Sequence, residues 1–128
     1  MITVVGGGLA GSLLALELAA LGSSVRLIDA AEGDRATALS YGLIPPGGGG
    51  PWRSLRHRHG IAGLQRRWLQ FGLRGWPLPA LQVDPQRFAS SMQIALERLG
   101  VEQLVQRLDA PAQLEPLLAL GPVVLACG

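Results

Sequence analysis

The sequence predicts an α/β fold built on a parallel sheet and opened by a strand–helix–strand unit. Three observations carry that expectation. The run Ile2-Thr3-Val4-Val5 is short, β-branched and nearly all apolar, as in a strand buried on both faces. A glycine turn, Gly6-Gly7-Gly8, separates it from an apolar helical stretch. A second apolar run, Val25–Ile28, follows within the first 30 residues. Strand, helix and strand in so short a span form a βαβ crossover, which is right-handed in nearly all proteins.

The elements follow in order. Leu9–Leu21 reads as a helix, with Leu9, Leu13, Leu16 and Ala20 on one face and Leu14, Leu18 and Leu21 widening it. Gly22 stops it in the C′ position. Val25–Ile28 is the second strand, closed by Asp29. Ala30–Pro51 is loop-like, with a Gly-rich connection at about 45–51. Ile61–Phe71 reads as a helix, with Ile61, Leu64, Trp68 and Phe71 on one face. Asp84-Pro85 is a helix start, Asp84 as N-cap and Pro85 at the first helical position. That helix runs to about Leu99, its apolar stripe Phe88, Met92, Ala95, Leu96 and Leu99, with Gly100 as the stop. Val101–Val105 is a weak third strand, Asp109–Leu120 a short helix interrupted by Pro116, and Val123–Ala126 a last strand.

Composition excludes several classes. The chain has 128 residues, 48% hydrophobic and 16% charged, against about 25% charged in an average domain. That balance excludes intrinsic disorder. A single cysteine, Cys127, excludes an internal disulfide framework and any Cys-based zinc site; the residue reads as a small buried filler. No apolar run reaches the roughly 18–20 residues of a membrane-spanning helix. Leu9–Leu21 carries Glu17 and has no basic residue before it, so it is not a secretion signal. The expected location is the cytoplasm.

The glycine turn carries the chemistry. Gly6-Gly7-Gly8-Leu9-Ala10-Gly11 is G-x-G-x-x-G, placed after a strand and opening a helix. Gly6 permits the tight turn, Gly8 lets a pyrophosphate approach the backbone, and Gly11 lets the helix pack on the strand. The helix start offers unpaired N–H groups and partial positive charge to phosphates. Asp29 ends the second strand, 18 positions after Gly11. A carboxylate there accepts hydrogen bonds from ribose hydroxyls and disfavours a 2′-phosphate, and hence NADP. A glycine-rich turn that binds nothing would explain the motif alone, but not the whole constellation.

At this point the sequence resembles the FAD-dependent oxidoreductases of the glycine oxidase/D-amino-acid oxidase type. Ile2–Asp29 matches their FAD fingerprint, which also fits NAD enzymes. Arg35–Pro45 is similar to the segment after the ribose-binding acid, and Val123–Gly128 to a strand ending in Ala-x-Gly beside FAD. Val83-Asp84-Pro85 also fits the family's layout. The resemblance implies a Rossmann-like FAD/NAD(P)-binding fold over residues 1–128 and FAD as cofactor. It implies contacts from Gly6, Gly8, Leu9, Ala10, Gly11, Asp29, Ala30, Arg35, Ala36, Thr37, Ser40, Gly42, Leu43, Ala126 and Gly128. It also implies oxidation of a small-molecule amine or amino acid. Family members are two to three times longer, so the substrate domain is expected beyond Gly128 and the cofactor site here is incomplete. The resemblance names no catalytic residue within the chain, most of the catalytic site being expected beyond Gly128, and no metal site is expected. An NAD-binding protein and a non-catalytic nucleotide-binding remnant are the alternatives.

One further feature lies outside that scheme. Residues 35–83 hold seven arginines, His57 and His59, and no acid. Trp52, Trp68, Phe71 and Trp76 interleave with them. A solvated amphipathic helix with aromatic anchors explains this better than contacts to a substrate domain, and those better than a nucleic-acid surface; no nucleic-acid partner is expected. His57 and His59, two residues apart, do not share a helix face and suggest neither a metal site nor a general base. Ser40 and Tyr41 have no recognisable His and acid partners for a nucleophile.

Overall fold

The computed structural model describes residues 1–30, 63, 66–74 and 84–126. Four strands form one parallel sheet: β1 (Ile2–Val5), β2 (Val25–Asp29), β3 (Glu102–Val105) and β4 (Val123–Leu125). Their order is β3-β2-β1-β4. Helix α1 (Leu9–Ala20) joins β1 to β2, α2 (Pro85–Arg98) precedes β3, and α3 (Glu115–Leu120) precedes β4. The register aligns Val5 with Ile28 and Leu125, and Asp29 with Val105. The carboxyl ends of all four strands therefore lie along one edge. The chain reverses its progress across the sheet after β3, and ligands of such sheets bind outside the carboxyl ends at that reversal.

The burial of β1 and β2 follows from their sequences. Val4, Val25 and Leu27 face the main core, while Thr3 and Ile28 are buried although they alternate onto the other side. Where a charge does occur, at Arg26, it is paired across the sheet. Its Nε donates to Glu102 Oε2 at 2.8 Å, and the two residues are partners in the register.

Helix α1 departs from the expected face. Its buried residues are Gly11, Ser12, Ala15 and Leu16, whereas Leu9 and Ala20 are exposed and Leu21 is 78% exposed. The helix is apolar nearly all round, so periodicity selects no face. Close approach to the strands does, and it favours the smallest side chains. Leu13, Leu14, Leu18 and Ala19 flank the core, partly buried. Gly22 ends the helix at φ 85°, as its position requires.

Helix α2 is the one the sequence describes best. Asp84 Oδ1 accepts from the N–H groups of Gln86 and Arg87, at 3.0 and 3.1 Å, with Pro85 in the first turn. Phe88, Met92, Ala95 and Leu96 are buried, and Gly100 takes the left-handed conformation after the helix. In the third connection the expected single helix from Asp109 is instead a 3₁₀ turn, Pro111–Gln113, followed by α3. Pro116 interrupts nothing, because it lies in the first turn of α3, where no N–H is needed from it. Gln113 Oε1 holds the 3₁₀ turn by accepting from the N–H groups of Asp109 and Ala110.

Residues 66–70 are helical; Ile61 and Leu64, expected on the same face, lie outside the described residues. Trp68, Phe71 and Leu73 join the core, and the Trp68 ring meets Phe88 edge-on with centroids 5.4 Å apart. Arg67 stacks over Phe71, 4.6 Å from the ring centre, and binds the Glu17 carboxylate through Nε and Nη2. The described part of the basic stretch thus anchors a helix to α1. Trp68 is no stacking surface.

The Glu17–Arg67 pair has a pH signature. Hydrogen bonding from Arg67 holds the Glu17 carboxyl below its ordinary value, and burial opposes this more weakly. A carboxyl depressed on folding stabilises the protein above its unfolded titration range, and that support is lost as pH falls through the folded value. Both side chains are about two-fifths exposed, so water screens the pair and the effect is modest. Glu17→Gln should therefore lower the urea midpoint slightly at neutral pH. The gap should close as pH falls through the depressed folded value of Glu17, below which both proteins are neutral at residue 17.

Candidate nucleotide-binding site

The turn after β1 is shaped by glycines that each answer a different constraint. Gly6 has φ 110°, a conformation that side chains rarely adopt, and its N–H donates to the Ile28 carbonyl at 2.8 Å. Gly11 lies against the turn itself. A Cβ there would collide with the Gly6 carbonyl oxygen and come within 3.2 Å of the Ala126 Cβ. Gly8, the residue before α1, has an ordinary φ of −67°. Among the described residues, a Cβ on Gly8 would meet nothing within 4 Å. Neither backbone strain nor packing among the described residues calls for glycine at that position.

Gly8 marks the start of a helix left open. Its carbonyl accepts the Ser12 N–H at 3.0 Å, the first bond of α1, and no side chain among the described residues caps the helix. Leu9 and Ala10 are exposed there. The first N–H groups and the positive end of the helix dipole thus face the space beside Gly8.

Asp29 stands next to this opening. Its Oδ1 accepts the Gly7 N–H at 3.1 Å, and the Ser12 hydroxyl donates to the Gly7 carbonyl at 3.1 Å. A cavity of about 310 Å³ runs from the glycine turn past Asp29 into the gap between α2 and β3. Gly7, Gly8, Ser12 and Asp29 make its polar end. Leu27, Phe88, Met92, Leu96, Leu104 and Val105 make its apolar part, with Gln93 and Gln103 among them. The volume is at the lower end for small-ligand sites, and a polar mouth on an apolar slot suits a group with one charged and one flat apolar portion.

The structure brings together Gly6, Gly8, Leu9, Ala10, Gly11, Asp29 and Ala126 of the expected residues. The Ala126 N–H donates to the Val5 carbonyl at 2.7 Å, which lays the end of β4 against the turn. Ala30 follows Asp29 and is exposed. Arg35, Ala36, Thr37, Ser40, Gly42, Leu43 and Gly128 lie outside the described residues. Sequence reasoning missed Gly7, Ser12 and the slot between α2 and β3. Two signals for Gly7 were present. The turn holds a third glycine that the motif does not require, and the acid at the end of β2 is Asp, whose short side chain must come close to the backbone. The slot left no such signal, because its lining residues serve equally as ordinary core.

Comparison with known proteins gives the family and the fold. The profile of a family described as FAD dependent oxidoreductase matches residues 1–123. No curated protein sequence matches the chain. Among solved structures, it is similar to iminodiacetate oxidase from Chelativorans sp. BNC1, with a TM-score of 0.59 and 15% identity over 80% of this chain and 46% of that one. It is also similar to 3-ketosteroid-delta4-(5alpha)-dehydrogenase from Rhodococcus jostii RHA1, with a TM-score of 0.57 and 17% identity over 80% of this chain and 36% of that one. At such identities the likeness shows the fold alone. The chain spans less than half the length of either structure.

Proposed function

The chain belongs to the FAD dependent oxidoreductase family, and on that premise we propose that its glycine turn and cavity hold the ADP half of FAD. The observation that carries the proposal is the glycine at position 8, whose missing Cβ leaves, among the described residues, open space at an uncapped helix start. The N–H groups of Leu9 and Ala10 face the pyrophosphate in this reading, and the helix dipole favours its charge. Asp29 accepts hydrogen bonds from the adenosine ribose. The adenine enters the apolar slot between α2 and β3. Gly6 and Gly11 keep the helix start close to the strand ends, and Ala126 closes the other side.

Arg35, Ala36, Thr37, Ser40, Gly42, Leu43 and Gly128 complete the proposal as contacts to the phosphates and the flavin end. Bound FAD supplies two-electron redox chemistry; the part of this chain is to bind and orient it. For the whole protein we propose oxidation of a small amine or amino acid. The resemblance of Ile2–Asp29, Arg35–Pro45 and Val123–Gly128 to flavoproteins of the glycine oxidase/D-amino-acid oxidase type supports this. No helix among the described residues is long and apolar enough to cross a membrane, and a cytoplasmic site of action belongs to the same proposal.

Titration with FAD, followed by quenching of flavin fluorescence, tests the reading. Saturable quenching that ADP competes away is the expected result. NADH fluorescence enhancement without any flavin response would favour an NAD protein. No response to either would leave a fold without this site. Asp29→Ala should weaken FAD binding by about tenfold to a hundredfold, the scale of hydrogen bonds to a charged group.

A further inference from the structure

We infer that Gly7 is a positioning residue for Asp29, steadied by Ser12, and that this clamp sets how strongly the site reads the ribose 2′-hydroxyl. The inference rests on the nucleotide-binding role proposed above and adds residues to it. The motif asks nothing of position 7. Nor does the backbone, since Gly7 is not among the glycines with positive φ. Its neighbour explains it. A Cβ on Gly7 would sit 2.6 Å from Asp29 Cγ, 2.7 Å from Asp29 Cβ and 2.9 Å from Oδ2. Space normally taken by a side chain is filled by the Asp29 carboxyl.

Hydrogen bonds fix both sides of Gly7. Its N–H donates to Asp29 Oδ1 at 3.1 Å, and its carbonyl accepts from the Ser12 hydroxyl at 3.1 Å. Ser12 is only 5% exposed, on the face of α1 that packs inward, so its hydroxyl holds a definite direction. The carboxylate is thereby pinned at the cavity wall before any ligand arrives. A pre-set acceptor avoids the entropy cost of being ordered on binding, so the 2′-hydroxyl gains more from it. A carboxylate pinned in this way also cannot turn from a 2′-phosphate, which strengthens discrimination against it.

Paired titrations of ADP and 2′-deoxy-ADP test the clamp. The wild type should prefer ADP by about tenfold or more. Gly7→Ala pushes the carboxyl away, so its preference should fall to within about twofold of unity, as in Asp29→Ala. Ser12→Ala adds no atoms and keeps the fold; it should lower the preference by about threefold. A purely structural role would weaken both ligands in parallel and leave their ratio unchanged. A wild-type ratio in folded Gly7→Ala overturns the inference. If Gly7→Ala does not fold, a wild-type ratio in Ser12→Ala overturns it. Wild-type protein that binds ADP without distinguishing the deoxy form refutes the clamp alone, whereas wild-type protein that binds neither refutes the nucleotide site as well.

Discussion

Gly8→Val is expected to raise the FAD dissociation constant by at least about a hundredfold, close to 3 kcal/mol, while the protein stays folded. The backbone at Gly8 has φ −67° and ψ −175°, which valine adopts readily. Its side chain would meet no atom of the described residues within 4 Å of the Cβ. The cost to the fold is confined to a poorer residue at the helix start, about 1 kcal/mol. The same branched side chain would occupy the space through which a diphosphate reaches the N–H groups of Leu9 and Ala10. Circular dichroism and thermal melting report the fold, and flavin titration reports the site. An unchanged titration would remove Gly8 from the cofactor contacts.

Gly11→Val should do the reverse and break the fold. Its Cβ would overlap the Gly6 carbonyl oxygen, a backbone atom that cannot rotate aside, and would press on Ala126. Relief requires α1 to lift from the ends of β1 and β4. Overpacking of this kind costs about 1–3 kcal/mol in a compliant core, and more where backbone must move. Against a total of about 5–15 kcal/mol for a domain, that leaves little margin. The expected outcome is a large fall in melting temperature or loss of cooperative unfolding. Two glycines of one motif, three residues apart, would then fail in different assays. A melting temperature equal to wild type would show that the helix start has slack the structure does not reveal.

Much of this was legible in the residues. The β1–turn–α1–β2 unit follows from local chemistry: β-branched runs, glycines where a turn must be tight, and Gly22 at the helix stop. Helix α2 is similarly self-declaring, because Asp84 and Pro85 mark its start and Phe88, Met92, Ala95 and Leu96 mark its buried face. What failed depended on tertiary contact. The spacing of Leu9 and Ala20 predicts a buried face that closeness to the strands instead reserves for Gly11, Ser12 and Ala15. The helix expected from Asp109 splits, because Gln113 draws the Asp109 and Ala110 N–H groups into a 3₁₀ turn.

The same division runs through the site. Gly6, Gly8, Gly11 and Asp29 belong to a pattern whose spacing has a mechanical reason, so the residues alone identify them. Gly7 and Ser12 act through a contact between the turn and the end of β2, 22 positions apart in the chain from Gly7 to Asp29. The slot needs α2 laid beside β3, and no local run of residues announces that placement.

The central claim is that the open start of α1 takes a diphosphate. The most direct measurement is an amide chemical-shift titration of the isotope-labelled protein with ADP. The largest shifts should fall on Gly7, Gly8, Leu9 and Ala10, with a second group at Asp29 and Val105. Shifts that spare the glycine turn, or that gather on α3 and β4 instead, would contradict it.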